Sequence, residues 1–292
     1  MMLLSVCGFT VNSLLLKYFG SADRDISAML PLLFRAAVGM MIVLTIFRGR
    51  RPTLVKPVFT DKKLVIRGLT GMVGTAAYYW TIPELGAAKA TLLCNTYVIF
   101  AAIIAAIWLG EKMGLPRILW LVLAFVGIIL LTGPNGSDTA GLNFHFGWNE
   151  LIAIIGAIAA AWTVVLIRQL VKYHSSGTIF LAQCSWILLP VAILTAHELP
   201  GLKLTEWTLL ITAASMAAFG QLTMNEGYRC LTVATGASLQ MLWPVMTAIG
   251  GLVWFDERFL PIQIFGAVLI LGATWKISVS KAKDSAQTEA RR

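Results

Sequence analysis

Ten apolar stretches, each about as long as a lipid bilayer is thick, constrain this chain more than any other feature. A hydrocarbon core about 30 Å thick requires about 20 helical residues, because each residue adds about 1.5 Å. The stretches cover approximately residues 2–19, 26–47, 64–82, 86–108, 115–133, 149–170, 178–197, 206–226, 231–254 and 259–279. Their residues do not alternate between apolar and polar as the strands of a β-barrel do. We therefore predict an all-α integral membrane protein with ten transmembrane helices.

The positive charges indicate how these helices are oriented. If the N-terminus is cytoplasmic, 16 of the 23 lysines and arginines lie in cytoplasmic loops or at the C-terminal end, and only three lie in external loops. Cytoplasmic loops are enriched in Lys and Arg. Both termini are therefore predicted to be cytoplasmic, in a multi-pass protein of the bacterial inner membrane. The net charge of +9 is explained by this topology, so no nucleic-acid partner is expected.

The chain lacks the sequence patterns of common enzyme and metal sites. Its four cysteines, Cys7, Cys94, Cys184 and Cys230, show no CxxC spacing, and its three histidines do not cluster. It contains no P-loop, HExxH or GxSxG pattern, and no paired carboxylates lie within the apolar stretches. We predict that the protein is not an enzyme and holds no cofactor or metal.

The first five stretches resemble the last five, which indicates an internal duplication. Corresponding positions, at a nearly constant offset, are Lys17 and Arg168, Trp108 and Trp254, Glu111 and Glu257, Pro116 and Pro261, and Gly127 and Gly272. Because five is an odd number, the second half enters the membrane from the opposite face. We predict two inverted five-helix repeats at residues 1–133 and 149–279, with a connecting loop at 134–148 and a cytoplasmic tail at 280–292.

Local motifs agree with this plan. Stretches four and nine end in Leu109-Gly110-Glu111 and Phe255-Asp256-Glu257, Phe34-Arg35 lies in stretch two, and Gly220-Gln221 lies in stretch eight. With the duplication, these motifs resemble the EamA-type exporters of the drug/metabolite transporter superfamily. The resemblance implies alternating access around a central cavity lined mainly by stretches one, three, four, six, eight and nine. It implies little about the solute, which varies widely in this family, and it leaves a homodimer open.

The family commonly has a proline in the middle of stretch nine. Pro244 matches it here, whereas stretch four has Val98 at the corresponding place. Pro244 and Gly250-Gly251 weaken the helical hydrogen bonding and are candidate hinges. Gly71, Gly74 and Gly156 allow helices to approach closely. Tight packing alone would explain all of these residues equally well.

Arg35 lies deep in stretch two. It is about nine residues, roughly 13 Å, from the predicted outer end, and no Asp or Glu lies at matching depth. A charge in hydrocarbon costs about 2.5–3.5 kcal/mol on insertion scales. Two interpretations stay open: Arg35 ties backbone carbonyls together at a packing interface, or it favours carboxylate or zwitterionic solutes in an electropositive cavity.

Four amide side chains lie at similar depths: Asn95, Gln183, Gln221 and Gln240. An amide donates and accepts hydrogen bonds without carrying charge, which suits a site that must orient a polar solute and then release it. The alternative is bonding between helices, worth about 0.6–2 kcal/mol. We predict that Asn95, Gln221 and Gln240 belong to the substrate site, and we regard Gln183 as the weaker candidate.

Deep aromatic residues complete the predicted substrate site. These are Tyr78, Tyr79, Trp162 and Trp243. Trp243 follows Gln240 by three residues, so the two share one helix face. Tyr79 and Trp243 could stack on a flat or cationic solute, although helix packing also explains deep aromatics. Arg35 favours an anion and the aromatics favour a ring or onium group; an aromatic amino acid would satisfy both.

The sequence therefore predicts a secondary transporter for a small polar, amino-acid-like metabolite, working by alternating access. Only the family resemblance favours export. One alternative is an uptake or exchange carrier for a nucleoside-like or S-adenosylmethionine-like solute. The other is a membrane scaffold that transports nothing, against which the deep polar residues argue.

Overall fold

The computed structural model describes residues 1–20, 27–47, 52–85, 90, 93–110, 114–131, 147–255 and 260–289. These residues form α1 (Met2–Gly20), α2 (Leu30–Thr45), α3 (Lys56–Thr60), α4 (Lys62–Leu85), α5 (Tyr97–Leu109), α6 (Leu115–Leu131), α7 (Trp148–Leu170), α8 (Ser176–Thr195), a 3₁₀ helix (Ala196–Gly201), α9 (Leu204–Gly227), α10 (Val233–Gln240), α11 (Leu242–Phe255) and α12 (Pro261–Glu289). The described part of the chain contains no β-strand. The all-α prediction is confirmed.

Many of these helices have the length and apolarity of membrane spans. Among the described residues, five helical segments are long and apolar enough to cross a bilayer: Met2–Phe19, Trp148–Leu170, Ser176–Gly201, Leu204–Gly227 and Val233–Phe255. Shorter apolar helices cover Leu30–Thr45, Leu93–Leu109, Ile118–Leu130 and Pro261–Ile277. Large apolar side chains such as Ile193 and Leu252 lie on the outer surface, where a bilayer would cover them. The number of spans and the side of the termini stay predictions.

The two halves pack against each other in the same way twice. Helix α1 packs along α9, and α4 packs along α7. Helix α2 contacts both α8 and α9, while α8 contacts α4 in return. Exchanging the halves converts the α1–α9 contact into the α7–α4 contact, and the α2–α9 contact into the α8–α4 contact. The packing therefore has the pseudo-twofold relation that the sequence repeat predicts.

Stretch nine is a broken helix. Helix α10 ends at Gln240, Met241 forms a turn, and α11 begins at Leu242. Pro244 explains the break, because it has no N–H to donate to the carbonyl of Gln240 and its ring would collide with that carbonyl. The helix is interrupted at Met241, three residues before Pro244, which is one of the predicted hinge residues.

Stretch four is interrupted at the corresponding place without a proline. Residues 93–95 are helical, Thr96 forms a turn, and α5 begins at Tyr97. The backbone N–H and the hydroxyl of Thr96 both donate to the carbonyl of Leu93, at 3.2 and 2.6 Å. A local side-chain bond of this kind competes with continued helix. The first half therefore breaks its helix although Val98 stands where the second half has Pro244.

Helix α2 begins later than the sequence predicts. The predicted stretch starts at residue 26, whereas the helix starts at Leu30, with Pro31 in its first turn. Ser27 precedes it, and its N–H donates to the carboxylate of Glu198 at 3.0 Å. Arg35 consequently lies five residues from the beginning of its helix, about 7.5 Å along the axis, rather than the nine residues predicted.

Small residues allow the central helices to approach closely. A Cβ at Gly156 in α7 would lie 2.5 Å from the Cβ of Ala77 in α4, and a Cβ at Gly74 would lie 3.1 Å from the carbonyl oxygen of Gly156. A Cβ at Gly8 in α1 would lie 3.0 Å from the Cα of Gly220 in α9. Both contacts join a helix of one half to a helix of the other. These glycines therefore allow close packing in the two symmetry-related helix pairs, α4–α7 and α1–α9.

Candidate functional site

Helix α1 and the broken helix α10–α11 meet through two side-chain hydrogen bonds. The amide of Gln240 donates to the hydroxyl of Ser5 at 2.8 Å and contacts the sulfur of Met2 at 3.2 Å. The indole N–H of Trp243 donates to the hydroxyl of Ser13 at 3.1 Å. Gln240 and Ser5 are almost fully buried. This group of residues, which we call the central polar group, joins the first half to the second beside the helix break at Met241.

Arg35 lies next to the central polar group. Its Nη2 donates to the amide oxygen of Gln221 in α9 at 3.1 Å. Its guanidinium carbon lies 5.7 Å from the ring centroid of Phe9 in α1, within the range of a cation–π contact. The same Phe9 ring lies 6.1 Å from the ring of Trp243. The Phe9 ring is therefore near both Arg35 and the indole of the central polar group.

Arg67 in α4 is a second deep cation. It is fully buried, with 0% of its surface exposed. Its Nη2 donates to the amide oxygen of Gln183 in α8 at 3.0 Å. Gly71, one helical turn later, leaves the room that the guanidinium occupies, because a Cβ there would overlap Nη1 of Arg67. The amide of Gln183 also donates to the hydroxyl of Thr75 at 3.0 Å.

The two arginines form a crossed pair of links between the halves. Arg35 in α2 bonds to Gln221 in α9, and Gln183 in α8 bonds to Arg67 in α4. Exchanging the halves maps one helix pair onto the other, with arginine and glutamine changing places. Each link ties an outer helix of one half to an inner helix of the other. We call these residues the Arg–Gln cross-links.

Among the described residues, neither guanidinium of the cross-links is bonded to a carboxylate. In the described part of α1 to α11, the acidic residues lie at or beside helix ends: Asp61, Glu84, Glu150, Glu198, Glu206 and Glu226. Nε of Arg35, and Nε and Nη1 of Arg67, are buried and have no hydrogen-bond acceptor among the described residues. Positive charge is therefore concentrated here without a protein counter-charge.

A chain of hydrogen bonds leads from Arg35 to the end of α9. The amide of Gln221 donates to Asn225 at 3.2 Å, and the amide of Asn225 donates to the carbonyl of Ser176 at 3.2 Å. The Ser176 hydroxyl donates to Glu226 at 2.5 Å, and Glu226 accepts from Nε of Arg229 at 2.7 Å. The cross-link at Arg35 is thus connected to the turn that follows α9.

Comparison with known proteins agrees with this architecture. The model of the EamA-like transporter family matches twice, at residues 1–133 and 147–279. The chain belongs to the EamA-like transporter family. The family resemblance predicted from the sequence is confirmed, and the protein is a multi-pass membrane transporter rather than an enzyme.

Individual relatives of this EamA-like protein carry different solutes. It is 25% identical to the pseudopaline exporter CntI of Pseudomonas aeruginosa strain UCBPP-PA14, over 88% of this chain and 90% of that one. It is 22% identical to the S-adenosylmethionine uptake transporter of Rickettsia prowazekii strain Madrid E, over 96% and 92% of the two chains. A crystal structure of another protein superposes with a TM-score of 0.64 at 17% identity, covering 94% of this chain and 96% of that one. That structure shows a shared fold.

The EamA-like fold brings some of the predicted residues together. Arg35 and Gln221 are directly bonded, and Gln240 and Trp243 both contact α1. Asn95 is buried beside the Thr96 turn. In the other repeat, the end of α10 at Gln240 occupies the corresponding place. The break in each helix thus has one buried amide next to it.

The other predicted aromatics pack elsewhere. Trp162 contacts the ring of Trp108 edge to face, with centroids 5.2 Å apart, and Trp108 is largely exposed. Tyr79 is buried in the main apolar core, and Tyr78 packs on its ring at 5.9 Å. Arg67, Ser5, Ser13 and Asn225 were not predicted. Nothing in their spacing marks them, although for Arg67 the position within an apolar stretch was a usable signal.

Two crevices open on the surface of the EamA-like fold, away from these groups. One, of about 570 Å³, lies between α2 and α9 and is lined by apolar residues such as Met41, Phe47 and Phe219. The other, of about 580 Å³, lies between the end of α1 and the beginning of α9 and includes Tyr18 and Glu206. Neither is lined by a residue that the sequence predicts for the substrate site.

One ion pair outside the membrane also joins the halves. His174 follows α7, Asp61 precedes α4, and Nε2 of His174 lies 2.9 Å from Oδ2 of Asp61. Burial opposes ionisation of Asp61, but the hydrogen bonds from the N–H of Lys63 and from His174 outweigh it, so the pKa of Asp61 is lowered.

Proposed function

We propose that this protein is a secondary transporter that exports a small polar, amino-acid-like metabolite by alternating access. The observation that supports this most directly is the central polar group. Gln240 and Trp243 of the second half donate hydrogen bonds to Ser5 and Ser13 of the first half. The bonds lie next to the helix break at Met241, so a small movement at the break would separate donors from acceptors.

The chemistry of the central polar group suits exchange with a solute. All four side chains are neutral, and a hydrogen bond between neutral groups contributes only about 0.5–1.5 kcal/mol net. A hydroxyl, amine or carboxylate of a solute could replace the serines as partners of Gln240 and Trp243. In this proposal the repeats at 1–133 and 149–279 rock against each other. Asn95, Gln221 and Arg35 add polar contacts.

The direction of transport differs among the relatives. Relatives of similar coverage include both an exporter and an uptake transporter. Uptake of a nucleoside-like or S-adenosylmethionine-like solute is therefore the second candidate. Inside-out and right-side-out vesicles that contain the protein distinguish the two, because export concentrates the solute only in inside-out vesicles when a driving force is applied.

An unbiased comparison of solutes tests the proposal. Cells that produce the protein are expected to release at least one polar metabolite faster than cells with an empty vector, as measured by mass spectrometry of the medium. Gln240→Ala and Ser5→Ala are expected to reduce that release at least about tenfold if the site is lost. Gln169→Ala is the matched control, since Gln169 is a half-buried glutamine near the end of α7.

The possible results separate the candidates. Equal release with Gln240→Ala and Gln169→Ala would remove the central polar group from the substrate site. Identical metabolites in the medium and in the cells, with and without the protein, would favour the scaffold. Accumulation inside the cells rather than outside would favour uptake.

A further inference from the structure

The Arg–Gln cross-links hold more positive charge than their surroundings neutralise. Each guanidinium offers five N–H donors. The structure gives the guanidinium of Arg35 one side-chain acceptor and that of Arg67 one side-chain acceptor, both of them amide oxygens. Three buried guanidinium nitrogens have no acceptor among the described residues: Nε of Arg35, and Nε and Nη1 of Arg67. A buried charge without a counter-charge is destabilising, and removing it or neutralising it stabilises the fold.

The partners of these arginines are neutral although charged side chains of nearly the same shape exist. Gln183 and Gln221 stand where a glutamate would form a buried ion pair without any change in packing volume. Amide acceptors hold the guanidinium planes in place and leave their charge available to a ligand. A structural role alone does not require this arrangement.

The cross-links are also within reach of the central polar group. Arg35 stacks on one side of Phe9, and Trp243 contacts Phe9 on the path to Ser13. Phe9 fits against Gly220, whose missing side chain leaves space for the ring. Arg35 and Trp243 thus lie near the same ring. A solute could then contact the amide and indole donors with one end and a guanidinium with the other.

We propose that the open guanidinium donors of the Arg–Gln cross-links, on Arg35 and on Arg67, bind a carboxylate group of the transported solute. The solute is then an organic acid or a zwitterion such as an amino acid, not a purely cationic compound. A guanidinium with open N–H donors matches the two oxygens of a carboxylate in geometry and in charge. The proposal rests on the proposed transport function, but it can be tested by binding alone.

Acetate is the smallest probe of such a site, and acetamide is its neutral counterpart. The purified protein is expected to melt at a higher temperature in sodium acetate than in acetamide with sodium chloride at equal ionic strength, because a ligand that binds only the folded state stabilises it. Arg67→Gln and Arg35→Gln are each expected to weaken acetate binding at least about tenfold. Lys62→Gln is the control, since it removes an exposed charge from the beginning of the same helix.

A second pair of variants places a negative charge of the protein itself beside each arginine. Gln183→Glu and Gln221→Glu place a carboxylate beside Arg67 and Arg35 respectively. Each is expected to raise the melting temperature in the absence of acetate and to abolish the effect of acetate. These variants keep the test valid if an arginine substitution fails to fold, because they strengthen the same contact. Purely structural arginines predict instead that Arg67→Gln lowers the melting temperature without any ligand present.

The outcomes are distinct. No acetate-specific stabilisation of the wild type overturns the proposal, as does equal stabilisation of the wild type and of Arg67→Gln. In proteoliposomes, transport of cationic solutes that Arg67→Gln leaves unchanged would overturn the carboxylate site while the transport function stands. Acetate binding that depends on both arginines, in a protein that transports none of the labelled amino acids and organic acids supplied, would support the site and contradict the transport proposal.

Discussion

Arg229 joins two segments of the chain at the end of α9 through three acceptors. Its Nε bonds to Glu226 at 2.7 Å, its Nη1 donates to the carbonyl of Val171, and its Nη2 donates to the carbonyl of His174 at 3.1 Å. Only a planar guanidinium can serve a carboxylate and two carbonyls at once. The turn after α7 is thereby held against the turn after α9.

Arg229→Lys is expected to destabilise the protein although it keeps the charge. An ammonium group cannot reach all three acceptors, and the loss of hydrogen bonds from a charged donor costs about 1.5–3 kcal/mol. Thermal melting of the purified variant measures the effect. Lys172→Gln, an exposed position in the neighbouring turn, is expected to stay within about 0.5 kcal/mol of the wild type. Equal melting of the two variants would show that the three contacts add nothing.

The Asp61–His174 pair makes stability depend on pH. The pKa of Asp61 is lowered in the folded state. The ionised carboxylate therefore stabilises the fold at pH values above the pKa of Asp61 in the unfolded chain, and this stabilisation is lost as the pH falls through its pKa in the folded protein. Asp61→Asn is expected to lower the melting temperature at neutral pH by an amount that shrinks below pH about 4. A melting-temperature difference that grows in acid would contradict the assignment. Lys63→Gln, exposed beside it, is the control.

Single residues also show where sequence reasoning succeeds and fails. Gln240 and Arg35 were found because an amide or a charge inside an apolar stretch is unusual. Ser5 and Ser13 were missed because serine is common in membrane helices and its role depends on the partner across the interface. Arg67 lies only a few residues from the beginning of its apolar stretch, so its position in the sequence does not mark it as deep. The burial of Arg67 depends on how α4 packs against α7 and α8. The position of a residue along its apolar stretch does not reveal this packing.

At the scale of helices, the two breaks show how the repeats differ. Pro244 predicts the interruption after Gln240 from the sequence, because proline removes a backbone donor. The matching break at Thr96 has no such signal, since Val98 favours neither a turn nor a kink. The Thr96 hydroxyl bond to Leu93 is local, but threonine makes this bond in intact helices too. The existence of α2 and α5 could be predicted from their apolar residues. Their boundaries could not, because no distinctive residue marks them.

Close packing of α4 on α7 gives a test at this scale. Gly156→Ala is expected to destabilise the protein by about 1–3 kcal/mol, because the new Cβ would lie 2.5 Å from the Cβ of Ala77 and the helices would have to separate. Gly272→Ala is the matched control in α12, where a Cβ meets nothing within 4 Å. It is expected to be neutral or to stabilise the helix by up to about 1 kcal/mol. Similar melting temperatures for both variants would mean that the α4–α7 contact is looser than the structure indicates.

At the scale of the whole molecule, the internal repeat was the most informative part of the sequence. It predicts which helices exchange under the pseudo-twofold axis, and the paired α1–α9 and α4–α7 contacts agree. What it cannot predict is which residues face inward within those pairs, because apolar stretches such as 103–107 look alike on every face. The Arg–Gln cross-links illustrate this. The sequence marks the glutamines as deep amides, but which arginines they bond to depends on how the helices pack.

The orientation in the membrane is the remaining prediction for the whole molecule, and native cysteines make it testable. Cys230 is exposed in the turn after α9, whereas Cys184 is buried. With cytoplasmic termini, a maleimide that does not cross membranes is expected to label Cys230 only when it has access to the cytoplasmic face. In a Cys230→Ser background, His197→Cys in the exposed 3₁₀ helix at the other end of α9 is expected to be labelled only from the outside. Labelling of both positions from one face would mean that α9 does not cross the membrane. Labelling of each from the opposite face would invert the topology and overturn the assignment made from the basic loops.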